Sequence, residues 1–248
     1  QQLAQEGVGR QHALLERDQW WFVARRAIIE RVLTDHLPTG TDRRILDVGC
    51  GTGGMLPLLS RFGKVAGIEG EPMAVEHCRA AFAEFDVQLG QIPTDVPSDG
   101  SADVATAFDV IEHLDDDLGA LESLRSAVHP GGAVVLTVPA LSWLWSDHDV
   151  VNGHKRRYTR GRLAAVIERA GLDLDHLSYF NTALLPAVAA ARLAQRARRR
   201  AVAPHSDFTM PSPAINRLLT RVMTSERSLV SLRGLPIGVS LVAVAHRP

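Results

Sequence analysis

Short apolar runs alternate with helical patterns through the middle of the chain, each run ending at glycine, proline or an acidic residue. The first run, residues 44–48, is followed by a helical pattern over about 54–62 and by a second apolar run at 64–69. Apolar runs of this length that alternate with amphipathic helices are typical of βαβ units. Three further runs predict strands, at residues 86–90, 102–108 and 133–139. We therefore expect an α/β domain.

The two ends of the chain have a different pattern. Residues 1–40 read as helical and carry three consecutive aromatic residues, Trp20, Trp21 and Phe22, which cannot all face one core. They either form part of a lid over a site or fasten this helix to the domain. A sixth strand is predicted at 172–180, followed by a helix over 181–201 and a short one over 214–224. The last strand is predicted at 235–245, so about fifty residues separate the last two strands.

Composition excludes several classes of protein. The 248 residues, 46% hydrophobic and 22% charged, suit one globular domain with additions. A net charge of −1 gives no reason to expect a nucleic-acid partner. The two cysteines, Cys50 and Cys78, argue against a disulfide scaffold and for a reducing, cytoplasmic location. No stretch reads as a signal peptide or a membrane span.

The glycine-rich segment after the first strand points to a nucleoside-containing ligand. Gly49, Gly51 and Gly54 satisfy G-x-G-x-x-G, and Glu69 ends the next strand about 20 residues on, as a dinucleotide site requires. Asp47, two residues before the first glycine, would repel a pyrophosphate but suits a ligand that carries an ammonium and a sulfonium. The glycine spacing alone also allows a nucleotide-dependent reductase, which remains the alternative.

The same segment also reads G-x-G-x-G through Gly53, and in this form it closely resembles the class I S-adenosylmethionine-dependent methyltransferases. The segment 102–114 is similar to small-molecule members, including the quinone O-methyltransferases, and the turn 129–132 before the fifth strand matches as well. The resemblance covers about 43–180 and 235–246. It implies a doubly wound, Rossmann-like sheet of seven strands with the last strand antiparallel.

The resemblance also implies an assignment of segments and a methyl donor, S-adenosylmethionine, with S-adenosylhomocysteine as its product. The expected segments are an N-terminal helical lid (1–42), a cofactor-binding core (43–180), a helical insertion over the substrate (181–234) and the last core strand (235–248). The expected cofactor-binding residues are Asp47, Gly49, Cys50, Gly51, Gly53, Glu69, Gly70, Gln91, Ile92, Phe108 and Asp109.

Three histidines are the candidate bases, because imidazole titrates near neutral pH: His113, His148 and His154. His113 and Glu112 could instead cap the helix that follows them. The candidate substrate contacts are Trp21, Trp143, Trp145, Arg157, Tyr158 and Asn181. The acids and histidines at 147–154 fit no firm zinc signature, and methyl transfer from a sulfonium needs no metal, so we expect none.

The resemblance implies methyl transfer to an oxygen or nitrogen of a small molecule, for example in natural-product biosynthesis. We expect a monomer or homodimer. The helix over 184–200 is apolar first and basic after, with arginines from Arg192 to Arg200. Such a helix can lie on a membrane surface, so a lipid-linked substrate is a second possibility, although packed helices with a solvated basic end are more common.

Overall fold

The computed structural model describes residues 15–37, 40–198 and 209–248. Its centre is a seven-stranded sheet with the order β3-β2-β1-β4-β5-β7-β6. The first five strands run parallel, and β7 is antiparallel to both β5 and β6. The doubly wound fold expected from the sequence is therefore confirmed, including the direction of the last strand. The strands are Arg44–Val48 (β1), Lys64–Glu69 (β2), Asp86–Leu89 (β3), Ala102–Phe108 (β4), Val128–Pro139 (β5), Asp173–Phe180 (β6) and Ser240–His246 (β7).

The helices are shorter than the apolar periodicity predicted. The described helices are Trp20–His36, Leu56–Leu59, Pro72–Ala81, Asp117–Ala127, Asp147–Val151, Arg160–Arg169, Leu185–Arg198, Pro213–Thr224 and Arg227–Leu232, with 3₁₀ turns at Ile111–His113 and Ser142–Leu144. The helix at Arg227–Leu232 was not predicted. The expected turn at 129–132 lies inside β5, as an irregularity in its pairing with β4. The last strand starts at Ser240 rather than 235, because Leu235 only forms an isolated bridge to Tyr179.

Alternating side chains of the strands enter two separate apolar layers. Leu46 and Val48 of β1 pack in the layer that contains the helices Asp117–Ala127 and Arg160–Arg169. Ile45, which precedes Leu46 and points the other way, packs on the opposite face against the helix Trp20–His36. This period of two is what a sheet buried on both faces requires. It explains how β1 comes to be buried on either side.

The N-terminal helix, Trp20–His36, forms one unit with the inserted helices that precede β7. It contacts both Pro213–Thr224 and Arg227–Leu232. Asn216 ties the two together, since its Oδ1 accepts a hydrogen bond from Trp20 N (2.7 Å) and its Nδ2 donates to Asp18 O (2.8 Å). In the described residues, no helix combines the length and the apolar character that crossing a membrane demands.

Candidate active site

A chamber of about 550 Å³ lies at the carboxyl ends of β1, β2 and β4, roofed by the N-terminal helix. Ligands bind at this edge in open α/β sheets, and the volume is within the usual range for small-molecule sites. The chamber contains most of the predicted site residues: Trp21, Asp47, Gly49, Cys50, Gly51, Glu69, Gly70, Gln91, Ile92, Phe108, Asp109, His113, His148, His154, Arg157 and Asn181.

The three predicted glycines of the loop after β1 have different physical reasons to be glycine. Gly49 has φ +74°, and a Cβ there would stand 2.6 Å from Val110 Cγ2. Gly53 has φ +89° and is packed against Cys78 and Phe82 outside the chamber. Gly51 has φ +57° and nothing within 4 Å of a Cβ position, so its backbone faces open space. Gly51 is thus the point at which a ligand can approach the main chain.

Glu69 anchors the glycine loop and also faces the chamber. Its Oε2 accepts a hydrogen bond from Gly51 N and its Oε1 accepts one from Glu71 N, each at 2.8 Å. A carboxylate has about four acceptor positions, so lone pairs on both oxygens remain for ligand hydroxyls. Gln91 reaches the same end of the chamber and donates from Nε2 to Gly70 O at 3.3 Å.

Asp47 is buried in the wall below the loop. Its Oδ1 accepts a hydrogen bond of 2.6 Å from Thr106 Oγ1. Burial raises the pKa of Asp47 to about 7, while Thr106 and Arg25 act in the opposite direction. A cation placed against this carboxyl group would favour its ionised form, so the wall is electrostatically suited to an ammonium or sulfonium and not to a phosphate.

An ion pair between Arg25 and Asp109 joins the roof to the chamber floor. Arg25 is buried, and only 7% of the residue is exposed. Its guanidinium also lies 4.6 Å from the ring centroid of Trp21. Asp109 adopts φ +58°, and its backbone N donates to Thr137 O at 2.9 Å. Trp21, on the helix that roofs the chamber, is thereby held against the site.

His154 is the histidine with the most defined orientation. Its Nδ1 lies 2.9 Å from Asp149 Oδ1, and Asp149 is wholly buried. Arg157 holds the same carboxylate with two hydrogen bonds, from Nε at 2.7 Å and from Nη2 at 3.1 Å. Despite burial, these partners keep the pKa of Asp149 below its ordinary value. An ionised Asp149 requires Nδ1 of His154 to carry the proton, which leaves Nε2 as an acceptor.

The other two histidines surround His154. The ring of His113 is 4.8 Å from the His154 ring and that of His148 is 6.0 Å away, centroid to centroid. Burial and the neighbouring His154 lower the pKa of His113, so it stays neutral at neutral pH. Asn181 closes this end with φ +60°, and its buried Oδ1 has no hydrogen-bond partner in the described residues.

Glu112 does not cap the next helix, as the sequence allowed. That helix is capped by Asp116, whose side chain accepts a hydrogen bond from Gly119 N. Glu112 is instead wholly buried at the chamber, and neither carboxylate oxygen has a hydrogen-bond partner among the described residues. Atoms of Glu112, His113 and His154 lie within 4.8 Å of one another. The sequence grouped Asp147, His148, Asp149 and His154 as possible metal ligands, and of these only His154 belongs to this set.

Four of the predicted site residues lie outside the chamber lining: Gly53, Trp143, Trp145 and Tyr158. Tyr158 is buried in the core, and its hydroxyl donates to Asp117 at 2.8 Å. Trp143 is 47% exposed. The carbonyl oxygens of Trp143 and Trp145 both accept hydrogen bonds from Arg196 of the helix Leu185–Arg198. Asp149, Arg25 and Glu112 were not predicted for the site, although the Asp149/His154/Arg157 spacing was a usable signal.

Comparison with known proteins shows which family the chain resembles. A family described as a methyltransferase domain matches residues 21–177, more than half of the chain. A relative in Mycolicibacterium smegmatis, named a probable S-adenosylmethionine-dependent methyltransferase, is 26% identical over 243 residues, which cover 94% of this chain and 91% of the relative.

Two further proteins are similar to this chain, one over part of its length and one in its fold. The ubiquinone biosynthesis O-methyltransferase of Xanthomonas campestris is 33% identical over 100 residues, which cover 38% of this chain and 42% of that protein. Among solved structures, a complex between the Haloferax volcanii Trm112 methyltransferase activator and a methyltransferase contains a similar chain. That likeness has a TM-score of 0.58 and 17% identity over 96% of this chain and 95% of the other, and it bears on the fold alone.

Proposed function

This chain belongs to the methyltransferase-domain family and uses S-adenosylmethionine as its methyl donor, and we propose that it methylates an oxygen or nitrogen of a small molecule. When bound, the cofactor supplies a methyl group already activated by a sulfonium. The protein therefore has to bind, orient and, where needed, deprotonate the acceptor.

The glycine-loop end of the chamber would hold the cofactor. Gly51 offers a backbone edge that no Cβ covers. Glu69 has free lone pairs for the ribose hydroxyls, Gln91 and Ile92 line the wall for the adenine, and Asp47 is a buried carboxyl for the cationic methionine part. A buried carboxyl whose pKa is raised is stabilised by a cation, and it opposes the pyrophosphate of a dinucleotide. This argument favours methyl transfer over the reductase alternative.

His154 is the proposed base. Asp149 fixes its Nδ1–H, so Nε2 is left to accept a proton from the acceptor. Arg157, a predicted substrate contact, would act through Asp149, because it donates to both of that residue's oxygens. His113 and His148 complete the wall around the base. The pairing of a buried carboxylate with the histidine that faces the chamber is the observation that carries this proposal.

Thermal unfolding with each cofactor tests the choice of activity. S-adenosylhomocysteine is expected to raise the Tm, by several degrees at a concentration of about 100 Kd. NAD(H) and NADP(H) are expected to leave it unchanged. Stabilisation by a nicotinamide cofactor, and none by S-adenosylhomocysteine, would contradict the proposal.

We also propose a cytoplasmic location, because Cys50 and Cys78 are both free thiols.

A lipid-linked acceptor is the second candidate, and one surface favours it. In residues 209–233 the exposed apolar side chains are Met210, Ile215, Leu218, Leu229 and Leu232. The same segment has four arginines, and its one acid, Glu226, is buried and accepts hydrogen bonds from Thr182 N and Ala183 N. A basic, partly apolar surface suits anionic lipids.

Flotation with phosphatidylglycerol vesicles at low salt tests this candidate. Wild-type protein is expected to float, and Leu218→Glu is expected to reduce the floated fraction, because it places a charge in the apolar part. Wild-type protein that stays at the bottom of the gradient would remove the lipid-linked alternative and leave the main proposal intact.

A further inference from the structure

Glu112 is a wholly buried carboxyl group whose charge the site does not balance. Neither oxygen has a hydrogen-bond partner in the described ranges. Leaving a buried carboxylate without a partner is unfavourable by several kcal/mol unless a ligand or a proton satisfies it. The group faces the chamber, at the end away from the glycine loop. A ligand that reaches this end would be the missing partner.

The two arginines that act on the charge of Glu112 already pair with other carboxylates. Arg25 pairs with Asp109, and Arg157 pairs with Asp149. Burial and the charge of Asp109 together raise the pKa of Glu112, and Arg25 and Arg157 oppose this rise only in part. The local charge therefore favours a cationic group on the ligand over a neutral one.

We propose that the Glu112 corner, made of Glu112, His113 and His154, binds a protonated primary amine of the methyl acceptor. This inference rests on the proposed function and narrows its acceptor to amines. An ammonium has three N–H donors, and the corner offers three acceptors: a Glu112 oxygen and a ring nitrogen from each histidine. His154 Nε2, the proposed base, can then take a proton from this nitrogen; the N–H electron pair stays on nitrogen as the nucleophile, and the imidazole gains the charge.

The spacing of the corner lies between that expected around a hydrogen-bonded nitrogen and that expected around a metal ion. Acceptors arranged tetrahedrally around a nitrogen at about 2.9 Å stand roughly 4.7 Å apart. Ligands around tetrahedral zinc, at about 2.1 Å, stand only about 3.4 Å apart. Glu112 Oε1 is 4.0 Å from His113 Nε2, and all three atoms lie within 4.8 Å of one another. The Glu112–His113 spacing thus falls between the two, so the test below includes a metal ion as one of its outcomes.

Calorimetric titration of the protein loaded with S-adenosylhomocysteine tests the inference. The probes are three primary amines, each paired with the alcohol of the same skeleton: benzylamine, 2-phenylethylamine and hexylamine. We expect at least one amine to bind about tenfold more tightly than its alcohol, a difference of about 1.4 kcal/mol. The alcohol control keeps size and apolar contact constant, so the difference reports the charge.

Glu112→Gln is the matching variant, because it keeps the shape and removes the charge. The amine preference is expected to fall to about twofold or less, with the affinity for S-adenosylhomocysteine unchanged. Glu122→Gln, on an exposed face of the helix Asp117–Ala127, is the control and is expected to keep the full preference.

Several results would overturn the inference. They are binding of no amine, equal binding of amine and alcohol, or a preference that survives in Glu112→Gln. A Tm that rises with Mg²⁺ or Zn²⁺ in the wild type, and not in Glu112→Gln, would assign the corner to a metal instead. The wild-type titration stands even if the variant fails to fold. Failure to bind S-adenosylhomocysteine would contradict the proposed function itself, and is separate from these outcomes.

Discussion

The two ends of the chamber are built in opposite ways. At the cofactor end, polar side chains already have partners inside the protein: Asp47 is bonded by Thr106, and Glu69 by two backbone amides. At the acceptor end, Glu112 and the Oδ1 of Asn181 are buried without any among the described residues. Buried polar groups are normally satisfied, so unsatisfied ones mark the place where a ligand completes the structure. We therefore expect the end proposed for the cofactor to be preformed and the end proposed for the acceptor to be completed by the ligand.

His154→Ala gives the largest expected effect and tests whether the ends are separable. Turnover should fall by about 10²- to 10⁴-fold, because the proton acceptor is lost. The affinity for S-adenosylhomocysteine, measured by calorimetry, should change less than about threefold. His77→Ala, on the helix Pro72–Ala81, is the control and should match wild type. An equal loss of turnover and affinity would mean that His154 serves both ends.

Asp47→Asn should act in the opposite sense, on the cofactor end. Loss of the charge against the ammonium is expected to weaken cofactor binding by about 10- to 100-fold. Asp173→Asn, an exposed acid at the start of β6, provides the control. If affinity stays at the wild-type level, the cationic part of the cofactor does not lie against Asp47.

The same residue predicts a pH dependence of cofactor binding. The pKa of Asp47 is raised to about 7 by burial and, in smaller part, by Glu69 and Glu16, with Thr106 and Arg25 opposing. A bound cation favours the ionised form, so affinity should rise as pH increases from about 5.5 to 7.5, by up to about tenfold per pH unit below 7. Titrations across this range should give a flatter profile for Asp47→Asn. A wild-type profile with no slope would contradict the assignment.

Two glycine substitutions are expected to give the smallest effects, which are on the free energy of unfolding. They test whether the glycine loop and the Glu112 turn are coupled. Gly51→Ala should cost about 1 kcal/mol, because alanine is strained at φ +57°, and should leave the acceptor end undisturbed. Gly49→Ala should cost more, since its Cβ would collide with Val110, which precedes the 3₁₀ turn of Glu112 and His113. Urea unfolding measures both. Equal losses would mean that Val110 yields without strain.

The residues proposed for the cofactor could be grouped from the sequence because they lie close together in the chain. A strand, a glycine turn and an acid on the next strand lie within 26 residues, and β1 pairs directly with β2. Their chemistry is therefore visible in the spacing of Asp47, Gly49, Gly51 and Glu69. The same locality made the sheet predictable, since each parallel strand has its own apolar run.

The acceptor end was predictable only in part, because separate segments meet there. The sequence indicated the three histidines but could not rank them, since the ranking depends on Asp149 facing one ring. Arg25 sits beside another arginine on a helix and reads as solvated, yet its partner is 84 positions away. The sequence allowed Glu112 to cap the next helix, but Asp116 caps it instead. The unpaired oxygens of Glu112 were therefore not predicted.

Asn216 links the start of the roof helix to an inserted segment almost two hundred positions later in the chain. The roof is therefore a joint product of two chain regions that the sheet does not contain. Changes in either region can reshape the entrance for an acceptor while the strand edges that carry the methyl donor remain as they are. Enzymes that share this sheet could in this way acquire new acceptors by exchanging the roof alone.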